Sequence, residues 1–139
     1  MATMRRPRAE PHTILVAQDD PIVRALLARV LRGKGYTVLE AADAAEAVRL
    51  VRHYAGPIDL LLADLAMPEV AGPAVVRALR QARPRMGFLV LSGHPPEIAR
   101  AVAGLPPAVA FLGRPCTEAA VSETVCAALG ATAERPAHG

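Results

Sequence analysis

Ile58-Asp59-Leu60-Leu61-Leu62-Ala63-Asp64-Leu65-Ala66-Met67-Pro68 decides the architecture. The run from Ile58 to Ala63 is apolar except for Asp59, and it stops at Asp64. A short apolar run without polar alternation is what a strand covered on both faces looks like, and parallel sheets are made of such strands. Gly56-Pro57 stops the helix before it, and Met67-Pro68 follows the turn after it. Asp64 therefore stands at the carboxyl end of a buried strand.

The same grammar repeats on either side. Ile14 to Ala17 is an apolar run that ends at Gln18-Asp19-Asp20-Pro21. Asp20 is a good helix N-cap, and Pro21 suits the first helical position. Val23, Leu26, Leu27, Val30 and Leu31 then recur at helical spacing up to Gly33 and Gly35. Thr37 to Glu40 is a second strand, and Asp43 with Glu46 forms a capping box for a second helix bearing Val48, Leu50, Val51 and Tyr54.

After Asp64, Gly72-Pro73 opens a third helix with Val75, Val76 and Leu79. Met86 to Leu91 is a fourth strand ending at Ser92-Gly93-His94. Pro95-Pro96-Glu97 starts a fourth helix. Val109 to Leu112 is a fifth strand followed by Gly113-Arg114-Pro115. Thr117 caps a fifth helix that Gly130 is expected to stop. Five β–α units in succession predict an α/β fold: a doubly wound, five-stranded parallel sheet with helices on both faces.

Composition sets bounds. The chain has 139 residues, enough for one domain: a basic disordered leader over 1–12, a domain over 13–130 and a disordered tail over 131–139. The starting Met and short tails lead to the expectation of a free-standing protein. Aromatic residues are scarce, so the core must be aliphatic and a base-stacking surface is not expected. The net charge of +3 is mild, and Lys34 is the only lysine. Cys116 and Cys126 form no disulfide framework, which fits a reducing cytoplasm, and no apolar run is long enough for a membrane span.

Ligands of doubly wound folds bind beyond the carboxyl ends of the strands. Asp19 and Asp20 follow the first strand, Asp64 ends the third, Ser92 ends the fourth and Arg114 follows the fifth. A cluster of carboxylates there needs a cation, and hard oxygen donors suggest Mg²⁺. One carboxylate could then attack a phosphoryl group, with the Ser92 hydroxyl and the Arg114 guanidinium available to its oxygens.

In these residues the chain resembles the receiver domains of response regulators, including those of hybrid histidine kinases. The resemblance covers roughly residues 13–129 and implies the flavodoxin-like strand order 2-1-3-4-5. It rests on Gln18-Asp19-Asp20 after the first strand, Asp64 with Met67-Pro68 and Gly72, Leu91-Ser92-Gly93, and Phe111-Leu112-Gly113-Arg114-Pro115. It implies that Asp64 accepts phosphate from a histidine kinase or phosphotransfer protein. It implies Mg²⁺ held by Asp19, Asp64 and the Ala66 backbone carbonyl, with Asp20 in the outer shell. Ser92 and Phe111 would switch with the phosphoryl group. The output would be contact with a downstream protein through the face of the fourth helix, fifth strand and fifth helix, which could also serve a homodimer. Direct nucleic-acid or membrane binding is not expected, and neither is turnover catalysis.

Two departures bear on the chemistry. Gln18 stands at the first acidic position, and Arg114 stands where the family has lysine. A planar guanidinium is not a compact ammonium on a flexible stem. Weaker Mg²⁺ binding is expected from Gln18, and slower phosphorylation or a weaker conformational response from Arg114. The alternative is a pseudo-receiver that binds partners without being phosphorylated. A haloacid-dehalogenase-type phosphatase would need a second aspartate two residues after the first, where Ala66 stands.

Overall fold

A computed structural model describes residues 11–67, 73–93, 95, 97, 109–113 and 116–133. The described elements run in the order β1 (Thr13–Ala17), α1 (Pro21–Gly33), β2 (Thr37–Ala41), α2 (Ala44–His53), β3 (Leu60–Asp64), α3 (Pro73–Ala82), β4 (Gly87–Ser92), β5 (Ala110–Gly113) and α4 (Glu118–Ala133). The helix expected to begin at Pro95 lies largely outside the described residues.

The five strands form one parallel sheet in the order β2-β1-β3-β4-β5. Successive strand residues point to opposite faces, and this divides the core in two. Leu15, Leu61, Phe88 and Val90 pack with Val51 of α2 and with Val76 and Leu79 of α3. Ile14, Val16, Leu60, Leu62, Leu89 and Leu91 pack with Leu27 and Leu31 of α1 and with Val121, Val125 and Leu129 of α4. Both faces are covered, so the strands carry no polar alternation. The expected fold is the observed one.

The one charge inside the decisive run has a structural reason. Asp59 precedes β3, and its Oδ2 accepts from the Thr13 backbone N–H at 2.7 Å. The Asp59 N–H donates to the Thr13 carbonyl at 2.8 Å, and its carbonyl accepts from the Gly87 N–H at 2.9 Å. Asp59 thus stitches the amino ends of three neighbouring strands.

Helix ends follow the sequence signals with two exceptions. Asp20 caps α1, its Oδ1 accepting from the N–H groups of Ile22 at 2.9 Å and Val23 at 3.3 Å, with Pro21 at the first helical position. Gly35 follows with a φ of 94°, a left-handed conformation that costs glycine little. Asp43 caps α2 through the Glu46 N–H at 2.9 Å, but Glu46 reaches back to the N–H of Ala42, one residue before the cap. The box is thus displaced by one residue. Thr117 Oγ1 accepts from the Ala120 N–H at 3.0 Å and caps α4.

Gly130 does not stop the last helix, which continues through Ala133. A glycine in an exposed helical position costs about 1 kcal/mol relative to alanine, and alanines at 131 and 133 flank Thr132 just beyond it. The helix is therefore not stopped at Gly130, and it extends three residues into the stretch expected to be a tail.

Arg83, just beyond α3, has no sequence signature yet closes the end of another helix. Its guanidinium donates to the carbonyls of Val51 at 2.5 Å, Gly56 at 2.9 Å and Tyr54 at 2.8 Å. These are carbonyls at and beyond the C-terminus of α2, where helical partners run out and the dipole favours a cation. Replacing Arg83 with Ala is expected to cost about 2 kcal/mol of unfolding free energy, read as a lower urea midpoint at unchanged slope. Arg83→Lys, with no fork to span three carbonyls, is expected to recover less than half of the loss.

Candidate functional site

Parallel strands deliver their carboxyl ends to one edge of the sheet. Asp64 closes β3, the central strand, and is 3% exposed. Ser92 closes the adjacent strand β4 one residue past the partner of Asp64, and is 1% exposed. Gln18 follows β1 on the other side and is 2% exposed. The three side chains thus come from three adjacent strands and share one edge.

The Asp64 carboxylate is engaged on both oxygens. Oδ1 accepts from the Ala66 backbone N–H at 2.9 Å, within the turn that leaves the strand. Oδ2 accepts from Gln18 Nε2 at 3.0 Å. The turn itself is closed by the Met67 N–H on the Asp64 carbonyl at 2.9 Å, and the ladder continues one step past the strand through Leu65 N–H on the Leu91 carbonyl at 2.8 Å. A buried carboxylate needs such donors, because burial without them is costly.

Gln18 is equally well held. Its Oε1 accepts from the Asp20 N–H at 3.1 Å, its own N–H donates to the Ala41 carbonyl at 3.0 Å, and its carbonyl accepts from Arg24 at 2.7 Å. Arg24 also pairs with Glu40 at 3.5 Å, and Glu40 pairs with Arg32 at 3.0 Å.

The carboxylates expected to converge are distributed otherwise. Asp64 is buried at the edge of the sheet, Asp19 is exposed at the same edge, and Asp20 is committed to the α1 N-terminus. There the helix dipole and two N–H groups favour its charge. Among the described residues no three His, Cys, Asp or Glu side chains gather closely enough to hold an ion by themselves. Carboxylate oxygens, as on Asp19 and Asp64, are the donor type that a hard cation takes. Asp20 can act there at most from a distance while it caps α1.

Phe111 lies on β5, half-buried against the core on the α2 and α3 side. Arg114 and His94 lie outside the described residues, as does most of the fourth helix of the face expected for partners; the fifth strand and last helix of that face are described. What sequence reasoning missed is the Gln18–Asp64 bond. Gln18 was legible as a missing charge, but a contact between residues 46 apart carries no local signal.

Residues 14–125 match the family of response regulator receiver domains. The chain belongs to that family. The sensor kinase CckA of Brucella abortus (strain 2308) is 38% identical over 82 residues, which are 59% of this receiver and 9% of the kinase. The TorCAD operon transcriptional regulatory protein TorR of Escherichia coli O157:H7 is 33% identical over 92 residues, 66% of this receiver and 39% of the regulator. The receiver thus spans well under half the length of these relatives. The crystal structure of the receiver domain of the hybrid histidine kinase CckA superposes with a TM-score of 0.69 at 34% identity, covering 84% of this chain and 98% of that one.

The hydrogen bonds set up a stability test. In Asp64→Asn one carboxylate oxygen becomes an NH₂ that faces a donor, either Gln18 Nε2 or the Ala66 N–H. The substitution is expected to lower unfolding free energy by about 1–2 kcal/mol, measured by urea unfolding in EDTA. A gain in stability would show that charge repulsion, and not hydrogen bonding, governs Asp64.

Proposed function

We propose that this receiver accepts a phosphoryl group on Asp64 in a two-component phosphorelay. The observation that carries the reading is a buried carboxylate at the carboxyl end of the central strand, flanked by Gln18 on one neighbouring strand and Ser92 on the other. One Asp64 oxygen attacks phosphorus, and the bond from phosphorus to the donor's leaving group breaks with its electron pair. The protein's part is mainly placement and charge stabilisation.

The Ser92 hydroxyl, on the strand beside Asp64, donates to a phosphoryl oxygen. Arg114 supplies positive charge as the residue after β5. Asp19, Asp64 and the Ala66 carbonyl hold Mg²⁺, with Asp20 more distant. When bound, Mg²⁺ neutralises the oxygens that crowd in the transition state. Ser92 and Phe111 report the state to the surface around β5 and α4, where a downstream protein docks. The donor is a histidine kinase or phosphotransfer protein, and the setting is the cytoplasm. Among the described residues no helix is long and apolar enough to cross a membrane.

Intact-protein mass after incubation with acetyl phosphate tests this. One phosphoryl group should appear on wild type with Mg²⁺, and none in EDTA or on Asp64→Ala. Absence of the adduct on wild type with acetyl phosphate and with phosphotransfer donors would reject the reading and leave an unphosphorylated interaction module. In the same assay Arg114→Lys is expected to raise the phosphorylation rate by about tenfold, because an ammonium on a flexible stem approaches the phosphoryl oxygens as a point charge.

A further inference from the structure

The Gln18 amide has an orientation that its surroundings dictate. With Oε1 on the Asp20 N–H and Nε2 on Asp64 Oδ2, every contact pairs a donor with an acceptor. Turned over, the amide would set oxygen against carboxylate and NH₂ against N–H. The backbone cannot drift to relieve this, because the Gln18 N–H is bound to Ala41 and its carbonyl to Arg24. Arg24 is in turn held by Glu40. Gln18 is thus a buried side chain fixed at both ends, aimed at the carboxylate on which the proposed chemistry depends.

We infer that the Gln18 side-chain amide is a gate on Asp64: it occupies carboxylate oxygen Oδ2 in the cation-free state and must yield it when Mg²⁺ binds. The inference rests on the phosphoacceptor reading of Asp64. It differs from a simple loss of negative charge. If Gln18 only lacks a charge, any neutral replacement binds Mg²⁺ as wild type does. If its amide competes with the cation, a neutral replacement without a donor binds Mg²⁺ more tightly. The amide also lets the carboxylate stay buried and satisfied without an ion, a condition that a cluster of three carboxylates does not meet. Gln18 is a positioning residue in this scheme, acting through Asp64.

The test is an MgCl₂ titration followed by ¹⁵N NMR on the wild type, Gln18→Met and Gln18→Glu, with acetyl phosphate labelling of each run in parallel. In the wild type the Gln18 side-chain NH₂ resonances should shift with the same Kd as the Asp64 backbone amide. Gln18→Met should bind Mg²⁺ about three- to tenfold more tightly than the wild type, since a competing charge-assisted hydrogen bond is gone. Gln18→Glu, which also adds a charge, should bind about tenfold or more tightly. A folded Gln18→Met with unchanged or weaker Mg²⁺ affinity overturns the gate. So do Gln18 resonances that stay still while Mg²⁺ saturates the wild type, and that measurement needs no variant to fold. If labelling of Asp64 succeeds while either result appears, the gate fails and the phosphoacceptor reading stands. If neither labelling nor Mg²⁺ binding is found in any of the three proteins, both fail.

Discussion

A carboxylate buried at the end of the central strand has to be satisfied, and much of the local architecture answers that demand. Asp64 sits where β3 leaves the sheet, with β1 and β4 on either side. Its charge cannot be left to water. One oxygen is met by the N–H of Ala66 in the turn just past the strand, the other by an amide carried on β1's extension. The first donor is local to the turn; the second reaches Asp64 because the parallel ladder holds β1 and β3 in register. A one-residue slip of β1 would send Gln18 to the other face and leave the carboxylate short of a partner.

The same economy of charge governs the flanking acids. Asp20 could have faced the sheet edge, but two N–H groups and the dipole of α1 claim its carboxylate. That choice orders the first helix and fixes the backbone N–H that Gln18 accepts from. Asp19 is left exposed beside it. The edge is therefore less acidic than a count of aspartates suggests. Arg24 completes the arrangement by tying the Gln18 carbonyl to Glu40 on β2.

Membership of the receiver family explains why four short motifs fall at strand ends in this order. The departures from the family pattern are not equal in structural effect. Gln18 is absorbed into a network in which each of its polar groups is used. The substitution thus gives Asp64 a hydrogen-bond donor at a position where a carboxylate would offer none.

Sequence alone determined the strand count, the parallel pairing and the identity of Asp64 as a strand-end carboxylate, while the order of the sheet came with the resemblance to receivers. Unalternated apolar runs, helical spacing and caps such as Asp20 and Thr117 are local signals, written within a few residues of the features they cause. The stop at Gly130 misled because a glycine's helix penalty is small and the neighbouring residues sustain the helix. Tertiary structure alone decided that Gln18 bonds Asp64, that Asp20 turns to its helix, that Asp59 stitches three strands and that Arg83 closes α2. The Asp20 cap is the local member of that set, already signalled by the sequence; the Gln18, Asp59 and Arg83 bonds join groups far apart in the chain, through directed hydrogen bonds whose geometry exists only once the sheet and its helices are packed. Residue type announces that a donor is present, and the fold chooses its acceptor.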